Sequence, residues 1–79
     1  MNKDTYLIIF EGTLPIRVMI ECENKIPRWQ ICIPISETKN RPFKGRCTNR
    51  DIARCSITLR LFLSAETVDE ISGFLNHYA

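Results

Sequence analysis

Between Thr5 and Ser36 the chain alternates apolar and polar residues with a period of two, broken twice by turn residues. This pattern predicts three strands joined by tight turns. The first strand, Thr5 to Phe10, is apolar on both faces, as expected of a strand with neighbours on both sides or cover over both faces. Glu11-Gly12 supplies the turn, because glycine adopts positive φ without a steric penalty. In the second strand Leu14, Ile16, Val18, Ile20 and Cys22 share one face, and Arg17, Met19, Glu21 and Glu23 the other. A two- or four-residue turn places Leu7 and Ile9 with Leu14 and Ile16, and Tyr6, Ile8 and Phe10 with Arg17 and Met19. A three-residue turn would reverse the first strand.

The third strand continues the alternation, with Trp29, Ile31, Ile33 and Ile35 against Gln30, Cys32, Pro34 and Ser36. A four-residue loop from Asn24 to Pro27 would pair Cys22 with Trp29, Ile20 with Ile31 and Val18 with Ile33, so that both apolar sets meet on one face. Pro34 lacks the N–H a ladder needs, which marks this strand as an edge. Residues 37–50 are polar and basic, contain Pro42 and Gly45, and read as one long loop. From Ile52 to Leu63 the residues Ala53, Cys55, Ile57, Leu59, Leu61 and Leu63 alternate with Arg54, Ser56, Thr58, Arg60 and Phe62, which predicts a fourth strand.

A helix is predicted from Ala65 to about Tyr78, with Ser64 as N-cap and Leu63 and Val68 as a hydrophobic staple. Val68, Ile71, Leu75 and Tyr78 form its apolar stripe, with Phe74 on the flank. Gly73 would mark a close approach to the sheet. The expected fold class is α+β: a four-stranded antiparallel sheet (ββββα) with one C-terminal helix packed on one face. The doubly apolar first strand and Pro34 favour a Greek-key order, 4-1-2-3, over a meander.

At 79 residues the chain is read as a single small α+β domain, residues 1–79. Its composition, 44% hydrophobic and 25% charged, argues against disorder. The opening residues Met-Asn-Lys-Asp-Thr have no apolar core region, and no run approaches the ~20 residues of a membrane span. A cytoplasmic setting with reduced thiols and no membrane partner is therefore expected.

The net charge of +2 says little, but its distribution says more. Residues 37–54 hold Lys39, Arg41, Lys44, Arg46, Arg50 and Arg54 against Glu37 and Asp51, whereas the stretch from Ala65 onward carries Glu66, Asp69 and Glu70 with no Lys or Arg. The six basic residues are candidate partner contacts on the predicted loop. On the sheet face away from the helix, Tyr6, Phe10, Arg17, Met19, Arg60 and Phe62 are candidates for a partner or homodimer interface, because contiguous exposed apolar groups mark contact surfaces.

Candidate chemistry is sparse. Cys22, Cys32, Cys47 and Cys55 match no zinc-ligand spacing and read as small apolar residues; were the protein exported, Cys47–Cys55 would be the bridge to expect. His77 stands alone, and Glu21 with Glu23 is neutralised by Arg17 more simply than it is read as an acid–base pair. No metal, cofactor or catalytic residue is expected.

These readings point to a small non-enzymatic binding protein, an inhibitor or adaptor that occludes the surface of a larger protein or nucleoprotein. Motif-free domains of this size suit stoichiometric inhibitors, including phage-encoded anti-host factors such as anti-CRISPRs, an analogy of size and absent active site. The alternative is a nucleic-acid-binding protein using the basic loop, residues 37–54.

Overall fold

The computed structural model describes residues 5–79. Four strands precede two helices: β1 (Thr5–Glu11), β2 (Leu14–Glu23), β3 (Ile26–Pro34), β4 (Asn40–Arg46), α1 (Asn49–Leu59) and α2 (Ala65–Asn76). The strands form one antiparallel meander, β1-β2-β3-β4. The fold is thus α+β with a four-stranded antiparallel sheet, but it has two helices where one was expected. The sheet order is the meander, not the Greek key.

The first turn closes with Glu11 opposite Leu14, leaving Gly12 and Thr13 as the loop. Gly12 sits at φ 61, as a two-residue turn with glycine in its first position requires. The second turn is also two residues, Asn24 and Lys25, with φ 54 and 66. Ile20 therefore faces Trp29 and Val18 faces Ile31, two positions from the expected pairing. A shift of two preserves every side chain's face, so the division into core and open faces holds despite the register error.

The expected fourth strand, 52–63, is instead α1 and the turn after it. Thr48 caps the helix by accepting from the Asp51 N–H at 3.2 Å. Ile52, Cys55 and Leu59, spaced three and four apart, bury one stripe. Only half of the alternate apolar positions that make the segment look like a strand are buried: Ala53, Ile57 and Leu61 end in solvent, the last two 68% and 79% exposed. The fourth strand forms earlier, inside the predicted loop, as Asn40–Arg46. Its Pro42 and Gly45 conceal it from pattern reading, and an edge position tolerates both. Pro34 does not make β3 an edge: β2 pairing ends at Cys32, so the missing N–H falls beyond the last β2 partner.

The two helices cover one face of the sheet. Ile9, Ile16, Val18, Ile20, Trp29, Ile31 and Ile33 pack there with Ile52, Cys55, Leu59, Leu63, Val68, Ile71 and Leu75. Each such aliphatic side chain contributes roughly 1.5–3 kcal/mol when fully buried. Helix α1 lies against β4 and α2 against β1. Between the helices the Ser56 and Ser72 hydroxyls share a hydrogen bond, while Ser56 also donates to the Ile52 carbonyl. Gly73 makes no close approach: a β-carbon there would meet nothing within 4 Å.

Candidate functional site

The face of the sheet away from the helices is assembled by alternation and register alone. Cross-strand pairing lays out a row of Tyr6, Met19, Gln30 and Lys44, then a row of Ile8, Arg17, Cys32 and Pro42. Glu21, Arg28 and Arg46 form a third row, and Phe10 stands opposite Pro15. Tyr6 and Phe10 are 65% and 63% exposed, Ile8 is exposed beside them, and Met19 is half-buried.

The face is chemically divided. Its β1 side is apolar and aromatic. Toward β4 it carries Arg17, Arg28 and Lys44, all exposed, against Glu21, while Arg46 in the same register turns its guanidinium to Asp51. A depression of about 330 Å³ opens on it beside the β3–β4 turn, lined in part by Arg17, Met19, Cys32 and Glu37.

The residues expected on a basic loop do not form one patch. Lys39 lies in the turn before β4, where Ser36 Oγ accepts from its N–H at 3.1 Å. By register Lys44 and Arg46 lie on the open-face side of β4, Lys44 at the edge it shares with the α1 side and Arg46 turned toward α1, whereas Arg41 projects to the helix side. There the Arg41 guanidinium stands 5.3 Å from the ring centre of Phe62 and 5.8 Å from that of Phe43. Arg46 is tied to Asp51 by an Nε–Oδ2 contact of 3.3 Å. Arg50 and Arg54 lie on α1.

Of the six candidates for the open face, Tyr6, Phe10, Arg17 and Met19 lie there. Arg60 and Phe62 do not: Arg60 caps α1, and Phe62 follows it, packed 5.8 Å from Phe43 between ring centres. Both were assigned to the face by the strand reading of 52–63. Gln30 lies on this face as its alternation with Trp29 and Ile31 predicts, and Arg28, which the sequence reading leaves out, joins it because the parity of β3 places both with Lys44 and Met19.

The thiols are dispersed. All four cysteines are free; Cys47 and Cys55 are buried, while Cys32 is on the open face. Burial pushes the Cys55 thiol up to about 12 and also raises that of Cys47, so both are protonated, poor nucleophiles at neutral pH. Cys55 borders a hollow of about 320 Å³ between β4 and α1, whose charged lining is Lys44, Asp51 and Arg54. Among the described residues no three His, Cys, Asp or Glu side chains converge as metal ligands. The Glu23 side chain, and with it the Glu21–Glu23 pair, lies outside the described residues. His77 ends α2 as an exposed C-cap. Among the described residues no helix is long and apolar enough to cross a membrane.

No family model matches this chain, no curated protein matches it in sequence, and no solved structure matches its fold.

Proposed function

We propose that this chain is a small non-enzymatic binding protein, an inhibitor or adaptor, that acts by covering a surface of a larger protein or nucleoprotein with the open face of its sheet. The observation that carries this reading is the division of one exposed face into an aromatic half (Tyr6, Ile8, Phe10) and a cationic half (Arg17, Arg28, Lys44). Apolar groups gathered on one face supply desolvation, and they are anchored to a hydrogen-bonded sheet that loses little freedom on binding. The arginines supply orientation, because a guanidinium engages carboxylate or phosphate oxygens bidentately. The partner surface that fits is acidic beside an apolar patch. A stoichiometric inhibitor of the kind phages direct at host machinery would use such a face.

One feature favours nucleic acid as the second reading: exposed aromatic rings and cations on one sheet face are also the components of a single-strand binder. The two readings differ in salt response. Phosphate neutralisation on a single strand weakens binding about fivefold per decade of salt for each phosphate engaged. Contact through Tyr6 and Phe10 with a protein is far less sensitive.

The test is affinity recovery of the tagged protein from lysate with and without nuclease, repeated with Tyr6→Ser/Phe10→Ser and with Arg28→Ala/Lys44→Ala. A defined protein retained after nuclease and lost with both double variants supports the proposal. Recovery that vanishes with nuclease moves nucleic acid to first place. A partner that both variants retain removes the open face from the account.

A further inference from the structure

The two edges of the sheet are built on opposite principles. The β4 edge carries Arg41, Pro42, Lys44, Gly45 and Arg46, a concentration of the devices that stop strands from pairing edge to edge. Up to Phe10 the β1 edge carries none of them. From Thr5 to Phe10 it has no charge, no proline and no glycine, and it is rich in β-branched and aromatic residues.

The two-residue turn fixes which β1 groups face outward. It makes Glu11 and Leu14 a hydrogen-bonded pair, so Thr5, Leu7, Ile9 and Glu11 bond to β2. The main-chain N–H and C=O groups of Tyr6, Ile8 and Phe10 then point away from the sheet along the free edge.

We infer that this edge pairs with the β1 edge of a second copy of the chain, antiparallel and centred on Ile8, to give a continuous eight-stranded sheet. The argument for a second copy is the symmetry of the strand itself. A two-fold interface must be self-complementary, and Tyr6–Phe10 is symmetric by side-chain class about Ile8. The pairing sets Ile8 opposite Ile8, Tyr6 opposite Phe10, Leu7 opposite Ile9 and Thr5 opposite Glu11. The outward main-chain groups of Tyr6, Ile8 and Phe10 then meet in hydrogen-bonded register.

The charges allow it as well. The paired residues bring no like charges face to face, and Glu11 meets a threonine. Arg17, the nearest cation on the open face, stands one strand back from the axis in each copy. At ~4.8 Å between strands the two Arg17 side chains are three spacings apart, well beyond the ~8 Å screening length at physiological salt. One added strand pair, widened by the flanks of Tyr6 and Phe10, falls at the low end of interface sizes, about 1,200 Å² and below, where association is transient.

The experiment is sedimentation of the untagged chain from about 1 µM to about 1 mM, the span over which transient dimers form, with backbone amide exchange read at both ends of the range. The expected result is a sedimenting mass that doubles with concentration, with the amides of Tyr6, Ile8 and Phe10 gaining protection only in the doubled species. Ile8→Lys, which places a charge on each side of the axis at an exposed position, should remain monomeric with an unchanged melting temperature. Ile8→Pro, which deletes only an outward-facing N–H, is the second variant. A mass that never doubles, a dimer that survives both variants, or a dimer whose β1 amides exchange freely would overturn the inference. So would β1 protection that arises only on adding a foreign protein. The Arg28→Ala/Lys44→Ala variant leaves this edge intact, so loss of partner binding and loss of the dimer are read separately.

Discussion

Trp29 and Gly45 face each other across the β3–β4 ladder, with the indole lying over the glycine so closely that a β-carbon on Gly45 would fall 2.8 Å from Cε2 of the ring. The ring is locked beside this contact, where Nε1–H, on the atom next to Cε2, donates to the Arg46 carbonyl at 2.7 Å. Neither the sheet backbone nor the anchored ring can yield cheaply. Gly45→Ala should cost about 1–3 kcal/mol, the usual penalty for overpacking, measured by urea denaturation. Gly73→Ala is the control: it lies exposed in α2 with nothing within 4 Å, and should stabilise by roughly 0.5–1 kcal/mol. Equal effects at the two glycines would refute the packing account.

Leu59 and Leu61 separate the strand and helix readings of residues 52–63. As a strand, both would point to the core. In α1 and its turn, Leu59 is fully buried and Leu61 is 79% exposed. Leu59→Ala should cost about 2–5 kcal/mol, and Leu61→Ala should stay within ~0.5 kcal/mol, as exposed substitutions do. Comparable losses would restore the strand.

The same segment shows what was legible in the sequence. The β1–β3 meander could be read because a period of two survives any even error in turn length. That is why alternation puts Tyr6, Phe10, Arg17 and Met19 on the open face even though the turn at Asn24 is two residues shorter than expected. Between residues 37 and 63 the local signal misleads, whereas the Ser64 cap and the stripe of Val68, Ile71 and Leu75 mark α2 where it forms. Apolar residues at 53, 55, 57, 59, 61 and 63 mimic a strand, and the cap that starts the helix, Thr48 with Asp51, is a weaker signal than six alternating positions. β4 was hidden for a different reason. Pro42 and Gly45 are poor strand formers; they are accommodated because the edge requires no outward pairing and because Trp29 needs the space over Gly45. The candidate patch failed with the loop, since alternation along β4 sends Arg41 to one side and Lys44 to the other.

Lys25 occupies the second position of a two-residue turn at φ 66, a conformation in which a side chain crowds the backbone. Asn24, at φ 54, is a residue that tolerates this region better. Lys25→Gly should therefore raise stability by about 1 kcal/mol, without altering the register, in a thermal melt. A loss of stability would mean that the lysine makes a contact worth more than its strain.

Thiol labelling should divide the cysteines by burial. Cys55, enclosed by the core and pushed up to about 12, should resist a maleimide at neutral pH until the chain unfolds. Cys32, on the open face and only partly buried, should label in the native state. Native labelling of Cys55 at the rate of Cys32 would show that α1 opens locally well below the global unfolding free energy.

Both helices are fastened to the sheet by a carboxylate. At the end of β1, Glu11 accepts from the Ser64 N–H at 2.9 Å, from the Ser64 hydroxyl at 3.0 Å and from the Thr67 hydroxyl at 2.7 Å, holding the N-terminus of α2. In the first turn of α1, Asp51 accepts from the Arg46 N–H at 3.0 Å, holding the end of β4. The Thr67 bond, then those from Ser64, keep the Glu11 carboxyl below its ordinary value of 4.5. The Arg46 N–H bond is the main cause holding Asp51 below 3.8. A depressed carboxylate stabilises the fold fully above its unfolded pKa and loses that contribution as pH falls through the folded one. Stability should therefore be flat with respect to these groups from pH 7 down to about 5, then fall as Glu11 and Asp51 protonate. Glu11→Gln removes the charge at the positive end of α2. Its melting temperature should lie below that of the unsubstituted chain at pH 7, and the gap should close as the pH drops below 4. A gap that persists unchanged at pH 3 would show that the substitution acts through packing at the β1–α2 junction and not through the ionised carboxylate.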